Sequence, residues 1–268
     1  MTIRLISWNI NKRRAIGEQV AALSERQPDL VALQEVKARH LDALRSLFEQ
    51  ARLPYVLDSK TDAEISHRGY VVIASRWPLE RKRADLRIDC PPCPESTLAV
   101  FAKSPHGKIE IQAVHVPYIG NADWLKCRFL EELYTHLAQP CPHHRILCGD
   151  FNFPQRELID GTVITFGENI RADGSFYVRR GRERQVTAER RIMQGLADYD
   201  LQDVYRSVNG FNAQEPSWVA KNRGRAFGYR LDHILASQSL NPLECVYLHP
   251  FREINLSDHS PIEAIFSP

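Results

Sequence analysis

Short runs rich in Ile, Val and Leu recur along the chain, each bounded by polar or turn-forming residues. They fall at Ile3–Asn9, Leu30–Gln34, Gly69–Ala74, Leu98–Ala102, Ile109–Val116, Arg145–Cys148, Arg230–Ala236 and Pro261–Phe266. Apolar residues at successive positions over so short a span predict strands buried on both faces. Between them, Ile16–Arg26, Leu41–Ala51 and Ala122–Leu137 carry apolar residues at helical spacing, and Gln27-Pro28 supplies a stop for the first. Thr187–Leu196 reads as a further helix capped by Thr187. Many strands with a few interspersed helices predict a layered α/β or α+β domain and not a barrel. No internal repeat or low-complexity linker breaks the pattern, so residues 1–268 are read as one domain.

Composition changes this picture little. The chain is 43% hydrophobic and 25% charged, as ordinary globular proteins are. It has no run of 18 apolar residues, so no membrane span is expected. The N-terminus enters the apolar segment Ile3–Trp8 almost at once, without the pattern of a signal peptide, and a cytoplasmic location is expected. The six cysteines are read as free thiols. Cys90-Pro-Pro-Cys93 has CxxC spacing, and with Cys141, His143 and His144 it makes a candidate zinc site; the plainer reading is a Pro-rich loop.

The net charge of +2 decides nothing, but local charge does more. Seven arginines lie between Arg171 and Arg191, against Asp173, Glu183 and Glu189. A second basic stretch runs from Arg76 to Arg87. A third comprises Lys221, Arg223, Arg225 and Arg230, interleaved with Trp218, Phe227 and Tyr229.

The candidate chemistry sits at the strand ends. Asn9 closes the first run, as a turn former or a ligand. Glu35 follows the run Leu30–Leu33, where a hard cation would find an oxygen donor on a rigid element. His115 lies within Val114-His115-Val116, either as a core histidine or as an imidazolium that holds a phosphate oxygen. Gly149-Asp150-Phe151-Asn152 puts an acid and an amide two residues apart after a glycine that permits close backbone approach. Asp232, inside an apolar strand, needs a partner if buried, and a histidine is the natural candidate. Asp258 and His259 pair a carboxylate with a candidate general base.

Taken in order, Trp8-Asn9, Leu33-Gln34-Glu35, Gly149-Asp150-Phe151-Asn152, Arg230-Leu231-Asp232 and Ser257-Asp258-His259 resemble the endonuclease/exonuclease/phosphatase superfamily, from Ser7 to Phe266. The resemblance implies a four-layer α/β/β/α sandwich with the site at one edge between two sheets. It implies that Asn9, Glu35 and Asp258 lie on the metal side. Asp150 and Asn152 would serve the phosphate and nucleophile region, and Asp232 would orient His259. His115 stands where deoxyribonuclease-like and sphingomyelinase-like members carry His and the exonuclease III branch carries Tyr. Tyr118 stands where many repair enzymes have Asn. The order of motifs from Arg184 to Ser237 resembles the repair-nuclease branch, yet Ser217 replaces an aromatic usual in its abasic-site pocket.

Hydrolysis of a phosphodiester builds charge on the phosphoryl and leaving oxygens, which a metal ion and fixed donors should meet. Oxygen donors without a Cys/His set favour Mg²⁺ or Mn²⁺ over zinc. His259 either activates water or contacts the phosphoryl group, with Asp150 as the rival base; Asn152 and His115 would hold non-bridging oxygens. Arginines with interleaved aromatics suit a phosphate backbone and unstacked bases. The expected function is therefore a DNA endo- or exonuclease acting as a monomer. Arg179, Arg180, Arg182, Arg184, Tyr118, Trp218 and Tyr229 are its expected substrate contacts; the plainer reading of the basic stretch is a solvated loop. The alternative is a phosphatase or phosphodiesterase for a small-molecule, lipid-headgroup or protein–DNA phosphoester.

Overall fold

The computed structural model describes residues 2–60, 69–82, 93–118, 123–222 and 225–268. Twelve strands build two large sheets. In chain order they are β1 (Ile3–Asn9), β2 (Leu30–Val36), β3 (Tyr55–Asp58), β4 (Tyr70–Ser75), β5 (Leu79–Arg81), β6 (Thr97–Ser104), β7 (Gly107–His115), β8 (His144–Asp150), β9 (Gln202–Asp203), β10 (Asp232–Ala236), β11 (Pro242–Tyr247) and β12 (Ile262–Phe266). The first sheet has the order β11-β12-β1-β2-β4-β3 and the second β9-β10-β8-β7-β6-β5. Both are mixed, with β1 parallel to β2 and β7 parallel to β8.

The doubly apolar strand pattern has a direct cause: the central strands of each sheet face two cores. Leu5, Ala32 and Ile73 of the first sheet meet Ile111, Ile146 and Ile234 of the second. Ile6, Trp8, Val31 and Leu33 face outward against α1 (Ile16–Glu25) and α2 (Leu41–Gln50), through Val20, Leu23, Leu44 and Phe48. Leu147 and Leu235 face outward from the second sheet onto α3 (Asp123–Leu137) and α4 (Glu183–Met193), through Phe129, Leu130, Leu133 and Ile192. The result is a four-layer α/β/β/α sandwich. Each fully buried Leu, Ile or Val contributes about 1.5–3 kcal/mol to it.

Three expectations need correction. The helix read as Thr187–Leu196 begins at Glu183, and Thr187 lies inside it, its hydroxyl donating to the Glu183 carbonyl at 2.9 Å. The buried stripe Val186, Ala188 and Ile192 sets its limits, and no side-chain cap is needed. The zinc reading also falls for the described residues. Cys141 donates to Glu110 at 3.6 Å, His143 packs on Phe101, His144 bonds Ser239, and no metal-ligating group contains them. Cys90 lies outside the described residues, and Cys93 is a buried free thiol. Finally, Arg230 is no surface contact, being buried against Glu157 and Asp203.

Candidate active site

Register brings the first acids together. In the second sheet His115 pairs with Asp150, and Asp150 with Asp232, so three polar residues stand abreast across β7, β8 and β10. Gly149 permits this closeness. Its φ is +140°, and a Cβ there would lie 1.9 Å from the Val114 carbonyl oxygen. Any side chain would push β8 from β7.

The first sheet supplies the other half. Asn9 ends β1, and Glu35 lies inside β2, not beyond its end. The β2–β4 register shifts between Leu33 and Val36, and Glu35 takes a left-handed φ of 60°. A bulge of this kind re-aims a side chain. Gly69 backs it, since a Cβ there would meet the Glu35 backbone at 2.7 Å.

The side chains then form a continuous line. Asn9 Nδ2 donates to Glu35 Oε1 at 3.2 Å and to Asp150 Oδ2 at 2.8 Å. His115 Nε2 lies 3.5 Å from Glu35 and 3.8 Å from Asp150. His259 Nε2 is 3.9 Å from Asp150, and its Nδ1 is 2.8 Å from Asp232 Oδ2. Trp8 Nε1 donates to the His259 carbonyl, and Ser257 Oγ to the Asn9 carbonyl, which fixes the 257–259 loop on the end of β1.

Electrostatics assigns protons along this line. Burial alone would lower the His259 pKa, but Asp232 and Asp150 outweigh it and raise it to about 10. The imidazole is therefore a cation at neutral pH. Burial raises the Asp150 carboxyl above its ordinary range, with His259 opposing and Asp232 adding to the rise.

Asn152, with a left-handed φ of 54°, donates its amide to the Val116 carbonyl at 2.8 Å and lies 3.4 Å from Asp150. Its second amide hydrogen is donated to Asp150 Oδ2 at 3.4 Å, the longer of the two bonds and the one an incoming oxygen would replace more easily. The backbone N–H of Asn152 donates to Asp150 Oδ1 at 2.9 Å. Buried Lys126 holds the Asn152 carbonyl at 3.0 Å while paired to Glu189 at 2.8 Å.

Two acidic groupings could hold an ion. Asp150, Asp232 and His259 offer ligand atoms within 4.8 Å of one another. Their His–Asp hydrogen bond is already closed and all three are buried. Glu35 and Asp150, joined by the Asn9 amide, open instead on a cavity of about 600 Å³. Hard oxygen donors facing a cavity fit a divalent cation better, so the Glu35 side is preferred. The Asp258 carboxylate accepts from Trp218 Nε1 at 3.2 Å, which ties it to the aromatic side of the cleft.

That side is a wall of rings. Trp218 and Tyr229 stack at 6.1 Å with planes 8° apart, and Phe166 stands edge-on to Tyr229 at 5.1 Å. Phe227 and Leu231 complete the lining, with exposed Tyr118 at the rim. Ser217 lies behind the wall, where its hydroxyl accepts from the Leu231 and Asp232 amides at 2.9 and 3.1 Å. Ser217, read from the sequence as a departure from the repair branch, thus serves as a hydroxyl clamp on the backbone.

Arg179, Arg180, Arg182 and Arg184 are absent from the lining. Arg184 forms a bidentate pair with Glu131 of α3, and Arg179 donates to the Phe166 carbonyl. Arg180 is exposed and Arg182 half-buried. In the second basic stretch, Arg76 pairs with Asp29 and Lys82 with Glu110; residues 83–92 lie outside the described residues. The sequence reading missed Lys12, Pro117, Phe166 and Leu231 as lining residues, and had Phe227 only among the rings of the third basic stretch.

Comparison with known proteins agrees with this fold. Residues 6–259 match the model of the Endonuclease/Exonuclease/phosphatase family. Exodeoxyribonuclease III of Haemophilus influenzae is 26% identical over 285 residues, covering 98% of this chain and 100% of that protein. An AP endonuclease from Archaeoglobus fulgidus superposes with a TM-score of 0.69 at 20% identity, covering 99% of this chain and 100% of the other. D. rerio TDP2 complexed with a single-strand DNA product superposes at 0.66 with 15% identity, covering 100% and 99%. The chain belongs to the endonuclease/exonuclease/phosphatase family of phosphoester hydrolases.

Proposed function

We propose that this phosphoesterase cleaves phosphodiester bonds in DNA, using Mg²⁺ or Mn²⁺ held by Glu35 with Asp150 and Asn9 beside it. The observation that carries the reading is the unbroken line Glu35–Asn9–Asp150–His259–Asp232 beneath an aromatic wall. A bound divalent ion would offset the charge that builds on the phosphoryl and leaving oxygens.

The protein's own groups divide the remaining work. Asp150 Oδ2, which lines the cavity, is the base that takes a proton from the attacking water, and burial raises the proton affinity of its carboxyl. His259, held as an imidazolium by Asp232, donates to a phosphoryl oxygen. This reading takes Asp150, not His259, as the base. His115 and the Asn152 amide, whose long 3.4 Å bond to Asp150 Oδ2 is the easier of its two to give up, are the other donors at hand. Trp218, Tyr229 and Phe227 would stack an unpaired base or an aromatic group beside the scissile bond. The family resemblance supports a DNA substrate, as do the names of the exodeoxyribonuclease, the AP endonuclease and the DNA-product complex.

One observation favours a second reading. The described arginines stand outside the cavity, so a small or protein-linked phosphoester needs no contact from them. A panel of duplex DNA, single-stranded DNA, 5′-tyrosyl DNA and small phosphoesters, with Mg²⁺ and with Mn²⁺, separates the two. DNA turnover should exceed small-ester turnover; the reverse order would overturn the DNA assignment. Chelation should abolish activity, and Mg²⁺ or Mn²⁺ should restore it. Undiminished turnover by thoroughly demetallated protein would remove the ion from the mechanism.

We further infer that the chain works as one domain and as a monomer, in a reducing compartment such as the cytoplasm. Five described cysteines are free thiols, and no helix among the described residues is long and apolar enough to cross a membrane.

A further inference from the structure

Two consecutive residues after β1, Asn11 and Lys12, hold left-handed φ values of 47° and 51°. Asparagine tolerates this region because its short side chain bonds locally; lysine has no such compensation. Strained residues of this kind persist where the surroundings over-determine them, and they cluster at functional sites. The strain at Lys12 has a visible result. Its Nζ lies 3.3 Å from Glu35 Oε2, and its side chain, 34% exposed, lines the catalytic cavity.

Glu35 is thereby capped at both oxygens. Asn9 and His115 face Oε1, and Lys12 faces Oε2. A divalent ion approaching this carboxylate meets an ammonium already in contact with it. Like charges so close repel, and the flexible four-carbon stem of lysine lets its head move. An anion bound in the same cavity is the nearest new partner.

We propose that Lys12 is a substrate-binding residue whose ammonium neutralises Glu35 in the metal-free protein and passes to a phosphate oxygen of the substrate once the ion occupies Glu35. The inference rests on the reading of Glu35 as the ion's ligand. It makes empty-site neutralisation and phosphate capture two states of one side chain.

The test uses Lys12→Met, which keeps the stem, and Lys12→Gly, which also relieves the left-handed backbone. Both should melt at or above the wild-type temperature, so a structural collapse would be seen at once. Mn²⁺ alone, titrated into protein by electron paramagnetic resonance, should bind several-fold tighter to both variants than to wild type. Inorganic phosphate, titrated by calorimetry at saturating Mn²⁺, should bind about tenfold or more weakly to them, as loss of a hydrogen bond to a charged group implies. Unchanged or weaker Mn²⁺ binding would overturn the competition at Glu35. Unchanged phosphate binding, or a wild type that binds no phosphate beside Mn²⁺, would overturn the transfer. Glu35→Gln serves as the control for the underlying reading. If it leaves wild-type Mn²⁺ affinity intact, the ion is not at Glu35; if it lowers that affinity while the Lys12 variants change nothing, only the Lys12 inference fails.

Discussion

Asp150→Asn should lower turnover by about two to four orders of magnitude, the usual contribution of a positioned base, while the protein melts at or above the wild-type temperature. The asparagine keeps the shape and one acceptor oxygen but cannot take a proton. Stability should hold because the wild-type carboxylate is buried and its charged form is disfavoured there. A second signature follows from the coupling. Asp150 helps to raise the His259 pKa to about 10, so in the variant that value should fall, as read from imidazole resonances during a pH titration. His259→Ala should produce a comparable loss of turnover through the opposite defect, an unmet charge on the phosphoryl oxygens. Full activity in both folded variants would remove this pair from the chemistry.

Glu157→Gln should cost about 3–5 kcal/mol of stability, the usual penalty for leaving buried charge unpaired, and lower the melting temperature by roughly 10 °C in a chain of this size. Glu157 accepts from Arg206 at 3.0 and 2.9 Å and from Arg230 at 2.6 and 2.7 Å. Arg230 also reaches Asp203 at 2.7 Å. All three partners in the Glu157 contact are buried. Burial alone would raise the Glu157 pKa, but the two guanidiniums reverse this and lower it from 4.5 to about 2. Asp203 is held well below the ordinary carboxylate range by Arg230 and His233, again against burial. Both folded pKa values are depressed, so the stabilisation is complete above the unfolded value and is lost as pH falls through the folded one. For Glu157 the window runs from pH 4.5 down to about 2. That shift corresponds to about 3 kcal/mol at 1.36 kcal/mol per unit. Acid titration of unfolding should steepen across this window in wild type and flatten in Glu157→Gln. An unchanged melting temperature and acid profile would show the cluster to be energetically silent.

This cluster also marks where sequence reading stopped. Arg230 reads as one more cation beside aromatic rings, because nothing local reveals that Glu157 and Asp203 lie against it from distant segments. The eight apolar runs were legible because most of their strands are buried on both faces and so keep apolar residues at successive positions. The short or edge strands β3, β5, β9 and β11 were not: β11 alternates buried and exposed positions weakly, and β9 spans only two residues. Candidate residues at strand termini could be named from the motifs, but not the partners that hold them: nothing local shows that the Asp258 carboxylate accepts from Trp218, 40 residues upstream. Lys12 was hidden for another reason: a lysine in a loop carries no sign of the backbone angle that aims it.

The 2.8 Å bond from Asn9 to Asp150 has a wider consequence, because its donor belongs to one sheet and its acceptor to the other. The reactive row is sewn across the seam between the two halves of the sandwich. A slide of one sheet over the other by a single ångström would part that stitch and separate Glu35 from Asp150 long before either sheet melted. Catalysis is therefore a strain gauge for the middle core, and residues such as Ile111 and Ile146, which touch no substrate, help to set its zero.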